Sequence, residues 1–209
     1  MKSGGGKSPP APLFQRGGHV NSSAPLFQRG GHANPSATFL QSGEICIRSA
    51  VSKDRDAIRA IIDGAGNLTE AEEACAAELL DIYLKNAGQR DYSFIVAVDG
   101  QDAAVGYACY GPRPLTDGTY DLYWIIVDPA ARRSGAGRAL VEGVGNRLAA
   151  LGARLIVAET SGLAKYEPTR RFYTGCGFIE EARVKEFYRA GDDLVIYTMR
   201  LRPYTESGN

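Results

Sequence analysis

Apolar residues from Glu44 onward repeat with two different periods, and each change of period marks an element. Ile45 and Ile47 alternate with Glu44, Cys46 and Arg48, which predicts a first strand. Between Asp54 and Ala65 the spacing becomes helical, with Ile58, Ile61 and Ile62 on one face. Thr69-x-x-Glu72 has the form of a capping box, predicting a second helix that turns Cys75, Leu79, Ile82 and Tyr83 inward. Tyr92 to Val98 and Ala103 to Tyr110 read as a β-hairpin around a tight Asp99-Gly100 turn. Tyr120 to Val127, rich in aromatic and β-branched residues, is a further strand ended by Asp128-Pro129. Leu140, Val141, Val144, Leu148 and Leu151 then recur at helical spacing, with Gly152 as the C-terminal stop. Arg154 to Glu159 is an apolar strand ending in a carboxylate, and Pro168 opens a short helix closed by Gly175. Two strands, Phe178 to Tyr188 and Leu194 to Leu201, meet around Ala190-Gly191-Asp192. The order β-α-α-β-β-β-α-β-α-β-β predicts an α/β (α+β) domain, a mixed sheet flanked by helices, over residues 44–202, with a tail at 203–209.

Residues 1–43 have a different texture, dominated by Gly, Pro, Ser, Ala and Asn, and this composition predicts a disordered extension. Within it Ala11-Pro-Leu-Phe-Gln-Arg-Gly-Gly-His19 recurs as Ala24-Pro-Leu-Phe-Gln-Arg-Gly-Gly-His32, and a looser third copy, Ala37 to Gly43, keeps the 13-residue period. Either a tandem duplication has left a neutral tail, or a linear motif is presented repeatedly to a protein partner. The chain's formal charge of zero divides into +4 over residues 1–43 and −4 over the rest, and gives no case for nucleic acid. Cys46, Cys75, Cys109 and Cys176 show no metal-ligand spacing and read as small buried thiols, a pattern that suits the reducing cytoplasm. No apolar run approaches the length of about 18–20 residues that a membrane helix needs.

The chemistry concentrates at Arg132-Arg133-Ser134-Gly135-Ala136-Gly137, a basic, glycine-bearing loop between a strand and a helix. Free N–H groups and the positive end of the helix dipole favour an anion there, and the arginines add charge-assisted hydrogen bonds. The loop is read as a pyrophosphate cradle. It contains no Gly-x-x-x-x-Gly-Lys-Ser/Thr and lacks the third glycine of a dinucleotide fingerprint. The spacing Arg132-x-x-Gly135-x-Gly137, after a strand ending Val127-Asp128-Pro129, resembles the acyl-CoA signature of the GNAT superfamily of N-acetyltransferases. Arg170-Arg171-Phe172-Tyr173-x-x-Cys176-Gly177-Phe178 resembles the second signature of that family. Where the family often has Asn and Ala, seven and four residues before the tyrosine, this chain has Tyr166 and Thr169. The resemblance covers about residues 44–202 and implies a sheet splayed between the strands ending at Val127 and Glu159.

It further implies acetyl-CoA as co-substrate, its pantetheine arm paired with the backbone of Ile126 and Val127. The amides from Arg133 through Arg138 would bind the pyrophosphate, and Tyr173 would protonate the departing thiolate. Such a proton transfer is reasonable for a phenol of pKa about 10 and a thiol of about 8.5. Both histidines, His19 and His32, lie in the extension, so histidine-based nucleophilic chemistry and histidine-bound zinc are not expected, and no metal is expected. Glu159, at a strand end near the expected cleft, is the leading base for deprotonating an amine, with Asp121 and Asp81 as alternatives. Phe187-Tyr188 and Asp192-Asp193 resemble the aromatic pair and acidic turn of the branch that acetylates protein N-termini, where the tyrosines hold the substrate backbone, so Tyr188 is a substrate-binding candidate. Small-molecule members carry comparable segments. The expectation is therefore direct acetyl transfer through a ternary complex to a small-molecule amine. A protein N-terminus or lysine is the alternative acceptor, and a non-catalytic acyl-CoA-binding module the distant one. Many family members form homodimers, but no surface in the sequence marks an interface.

Overall fold

A computed structural model describes residues 45–86 and 88–201. The repeats, both histidines and the C-terminal tail lie outside the described residues. In chain order the elements are β1 (Cys46–Ser49), α1 (Arg55–Asp63), α2 (Glu70–Lys85), β2 (Ser93–Val98), β3 (Ala104–Pro112), β4 (Thr119–Val127), α3 (Ala136–Ala150), β5 (Leu155–Ser161), α4 (Glu167–Gly175), β6 (Ile179–Arg189) and β7 (Asp192–Arg200). The strands form one seven-stranded sheet in the order β1-β2-β3-β4-β5-β7-β6. All neighbours are antiparallel except β4 and β5.

Each face of the sheet carries its own core. Leu140, Val144 and Leu148 of α3, with Tyr173 of α4, pack on Ile95, Ala108, Leu122 and Ile156. On the other face Ile58, Ile61 and Ile62 of α1 join Leu79 and Leu80 of α2 over Phe94 and Tyr107. The Thr69 capping box forms as the sequence indicates: Thr69 Oγ1 accepts the Glu72 N–H at 3.3 Å, and the Glu72 carboxylate accepts the Thr69 N–H at 2.8 Å.

Four local readings change. The buried stripe of α2 runs through Ala76, Leu79 and Leu80, while Ile82 is exposed, because the face is rotated by one residue toward α1. Leu151 follows α3 at its cap and points to solvent, although Gly152 does take the left-handed φ of +81°. The β2–β3 connection is longer than a two-residue turn. Asp99 Oδ1 accepts the N–H groups of Gln101 and Ala103, and Asp102, not Gly100, has the positive φ. Of the cysteines only Cys109 is fully buried, and all are free thiols.

Two irregularities in β4 open the middle of the sheet. Cys109 pairs with Trp124 but Tyr110 with Leu122, so Tyr123 is an extra residue, a β-bulge. The bulge reverses the alternation of faces. Leu122, Ile125 and Val127 lie on the α3 side, while Tyr123 and Trp124 both turn toward the α1–α2 side. Pairing of β4 with β5 stops at the same level, after Leu122 and Ala158. From there the two strands separate, and β5 continues with β7 as far as Ser161 and Leu194.

Candidate active site

The fork between β4 and β5 opens into a cavity of about 1070 Å³. Its wall includes Ile126 and Val127 of β4, the loop residues Arg132, Arg133 and Gly135, Gly137 and Arg138 of α3, Glu159 of β5, Tyr173 of α4 and Tyr188 of β6. Ser134 and Ala136 fall outside that wall. Ala136 is buried beneath the loop, and Ser134 Oγ accepts the Ala136 N–H at 3.3 Å. The folding thus gathers ten of the twelve residues singled out from the sequence around one space.

The basic end of the cavity is built by backbone geometry. Arg133 and Gly135 have φ values of +67° and +91°, which turn the chain sharply into α3. Gly135 at the N-cap has no side chain to cap the helix, and Ser134 Oγ takes the Ala136 N–H, so the rest of the positive end faces the cavity. A Cβ on Gly137 would lie 3.0 Å from the Phe172 ring, so any larger residue there would require the ring to shift by a few tenths of an ångström. The three arginines differ in role. Arg132 Nη2 donates to the Ala65 carbonyl at 3.2 Å, tying the loop to the end of α1. Arg138 Nη2 donates to the Gly175 carbonyl at 2.8 Å, joining α3 to α4. Arg133 is exposed and has no side-chain partner among the described residues. Beyond Leu122 the β4 backbone has no strand on its β5 side, leaving an open edge for an extended ligand. A helix N-terminus, free cationic charge and an open strand edge along one cavity fit a pyrophosphate carrying an amide-containing arm, as in coenzyme A.

Tyr173 is 6% exposed, packed among Phe172, Phe178 and Tyr197, with ring centroids 5.8, 5.3 and 5.5 Å away. Its phenol has no hydrogen-bond partner among the described residues, and burial, with lesser contributions from Cys176 and Tyr197, holds its pKa well above the usual value. It therefore stays protonated across the neutral range.

Glu159 approaches from the opposite face. Ile156 and Ala158 belong to the α3-side core, so by alternation Val157 and Glu159 face the α1–α2 side, as does Tyr123. The fork lets groups from both faces reach the same space. Glu159 Oε1 accepts from Arg113 Nη2 at 2.9 Å, and Arg113 Nε lies 3.1 Å from Asp121 Oδ1. Asp121 does not itself line the cavity. Asp81 is removed as an alternative base: it sits on α2, held by Arg55 Nε at 2.8 Å, against a separate surface hollow. Around Tyr188 burial first, then the carboxylates of Glu159, Asp192 and Glu72, push the phenol's pKa up. Asp192, buried, accepts from Ser161 Oγ, linking the β6–β7 turn to β5.

Sequence reasoning missed Arg113, Glu72, Trp124 and the Ser161–Asp192 pair. Glu72 reads as a helix cap, and nothing local reveals that the same residue borders the cavity. Arg113 joins residues 8 and 46 positions away, a contact that becomes visible only with the strand order.

A family model for the acetyltransferase (GNAT) domain matches residues 90–180. A Desulfovibrio desulfuricans protein assigned to the GNAT family as an acetyltransferase is 45% identical, with a TM-score of 0.72 over 76% of this chain and 99% of its own. Two more distant structures share the fold. The ribosomal-protein-S18-alanine N-acetyltransferase of Escherichia coli is 22% identical, with a TM-score of 0.59 over 78% of this chain and 97% of its own. A Salmonella typhimurium protein assigned as an acetyltransferase, solved with acetyl-CoA, is 20% identical, with a TM-score of 0.60 over 78% and 98%. No curated protein sequence matches the chain. With a 45% identical relative matched over almost its whole length, and with the fork and loop of that fold in place, this chain belongs to the GNAT superfamily and is an acyltransferase.

Proposed function

We propose that the protein transfers an acetyl group from acetyl-CoA directly to a primary amine of a small molecule, in a ternary complex without a covalent enzyme intermediate. The observation that carries this reading is the meeting of Tyr173 and Glu159, from opposite faces of the sheet, in the one cavity that also holds the basic loop. The loop amides from Arg133 to Arg138 and the Arg133 guanidinium hold the pyrophosphate, and the open edge at Ile126 and Val127 receives the pantetheine arm. Glu159 takes a proton from the acceptor ammonium. The freed nitrogen attacks the thioester carbonyl carbon, a C–N bond forms, the C–S bond breaks, and the Tyr173 phenol gives its proton to the leaving sulfur, while the nitrogen sheds its second proton to solvent, which restores the phenol and leaves a neutral amide. Among the described residues there is no histidine to serve as base, which leaves this work to carboxylate and phenol.

A second reading, a protein N-terminus or lysine as acceptor, is favoured by Tyr188, which the β6 bulge turns to the cavity wall beside Glu159. Acetyl uptake from labelled acetyl-CoA by a panel of small primary amines and a matched panel of peptides separates the two. Turnover of small amines with silent peptides is the expected result. Peptide turnover alone transfers the assignment to the second reading, and no uptake by either panel removes both.

A further inference from the structure

Arg113 follows the last residue of β3, and its guanidinium reaches across β4 to β5. The rungs that end the β4–β5 pairing are Asp121 with Val157 and Leu122 with Ala158. Glu159 is the first residue of β5 beyond them. Arg113 therefore bridges the two strands at the root of the fork, holding one carboxylate on each side of the point where they part. All three side chains are mostly withdrawn from solvent, with 29, 15 and 17% exposure for Arg113, Asp121 and Glu159.

One cation between two carboxylates leaves this triad with a net charge of −1. The other groups that face it are phenols, two further acids and one cation: Tyr123 beside Asp121 from β4, Tyr188 beside Glu159 from β6, Glu72 of α2 and Asp192 of β7 beside Tyr188, and Arg189, whose Nε lies 3.7 Å from Asp192 Oδ2. Arg113 is paired with both carboxylates at once. Two carboxylates this close, deprived of the guanidinium, would resist joint ionisation and retain a shared proton. Burial already pushes the Asp121 carboxyl up, with Arg113 opposing and Glu159 reinforcing the shift.

We infer that Arg113 is a positioning residue for the transfer reaction: it pins Glu159 at the root of the fork and keeps the Asp121–Glu159 pair fully ionised, so that Glu159 is an empty proton acceptor when the ammonium arrives. The inference rests on the assignment of Glu159 as base. It adds that Asp121 acts through Arg113 as a competitor for its charge, without touching the substrate.

The test is a carbon-13 carboxyl NMR titration of the full chain, with Glu159→Gln and Asp121→Asn variants assigning the two signals. In the wild type the Asp121 carboxyl should titrate above the usual carboxylate range, because it is buried. In Arg113→Met the pair should release its protons in two separated steps, the upper raised by about one pH unit or more. The acid limb of kcat/KM, with the best amine of the panel, should move the same way. Arg113→Lys should restore much of the wild-type behaviour, and Arg113→Met with Asp121→Asn should lose the raised step. If Arg113→Met does not fold, Asp121→Asn alone decides: Glu159 should then titrate lower than in wild type, having Arg113 to itself. Unchanged Glu159 titration in both Arg113→Met and Asp121→Asn overturns Arg113's role. Should Glu159→Gln transfer acetyl at the wild-type rate, the base assignment and this inference fall together. A slow Glu159→Gln with an unmoved Arg113→Met titration removes the inference alone.

Discussion

The Tyr173 phenol combines a fixed position with an unused hydrogen-bonding group. Phe172, Phe178 and Tyr197 hold its ring, so the hydroxyl can be deleted without disturbing the packing that places it. Tyr173→Phe should therefore leave thermal stability and the dissociation constant for acetyl-CoA nearly unchanged. Turnover should fall by about 100-fold, the lower end of what a positioned general acid contributes. Because burial raises the phenol's pKa, this group should impose no loss of rate as the pH climbs from 7 to 9. Steady-state kinetics over that range, with acetyl-CoA binding measured separately, checks both points. A variant with full turnover ends the general-acid assignment. Gly137 next to it illustrates the opposite constraint, since what matters there is the missing Cβ that lets Phe172, and Tyr173 behind it, approach α3.

Among the elements, those defined by local pattern were legible in the sequence, while those defined by pairing were not. Ile58, Ile61 and Ile62 mark the inner face of α1 by spacing alone, and Thr69 with Glu72 marks the start of α2. The bulge at Tyr123 leaves no local trace, because the run Tyr120 to Val127 is apolar throughout and alternation cannot be read in it. For the same reason the loop, Tyr173 and the β4 edge were legible as motifs, whereas Arg113 and Trp124 required the register. Another cross-element contact governs stability. Arg48 of β1 donates to both oxygens of Asp54 at 2.7 and 2.8 Å, and Asp54 also accepts the Val51 N–H at 2.8 Å, fixing the turn that leads into α1. Burial pushes the Asp54 carboxyl up, but these hydrogen bonds outweigh it and its pKa is lowered below 3.8. A carboxyl depressed on folding adds stability that is complete above its unfolded pKa and disappears as the pH falls through the folded value. Asp54→Asn should accordingly lose about 2 kcal/mol at pH 7, less than a fully buried pair because Arg48 remains partly exposed. The gap to wild type should narrow as the pH falls below 3.8 toward 2. Denaturant unfolding at both ends of this range measures it, and a gap independent of pH contradicts the ion-pair account.

At the scale of the whole molecule, the two cores meet along a sheet that is open down part of its length, since β4 and β5 part after Leu122 and Ala158. A ligand lying along the fork would complete contacts that the strands do not make with each other, and so should stabilise the entire domain. At about 100 times its dissociation constant, a ligand that binds only the folded state adds about 2.7 kcal/mol. For a domain of this size that corresponds to a rise in Tm of about 5–10 °C. Acetyl-CoA should produce this shift in the full chain at low salt. Arg133→Ala should reduce it while leaving the ligand-free Tm in place, because Arg133 is exposed and bonds to nothing else among the described residues. Arg132→Ala should lower both, since that side chain also holds the Ala65 carbonyl at the end of α1. Raising the ionic strength should shrink the shift in wild type more than in Arg133→Ala, as expected for an exposed cation that acts on the pyrophosphate through solvent. Equal shifts in wild type and Arg133→Ala at every salt concentration would assign the anion to the α3 amides alone. A folded wild type with no shift would mean that the fork does not bind the coenzyme, and the proposed reaction would lose its acetyl donor.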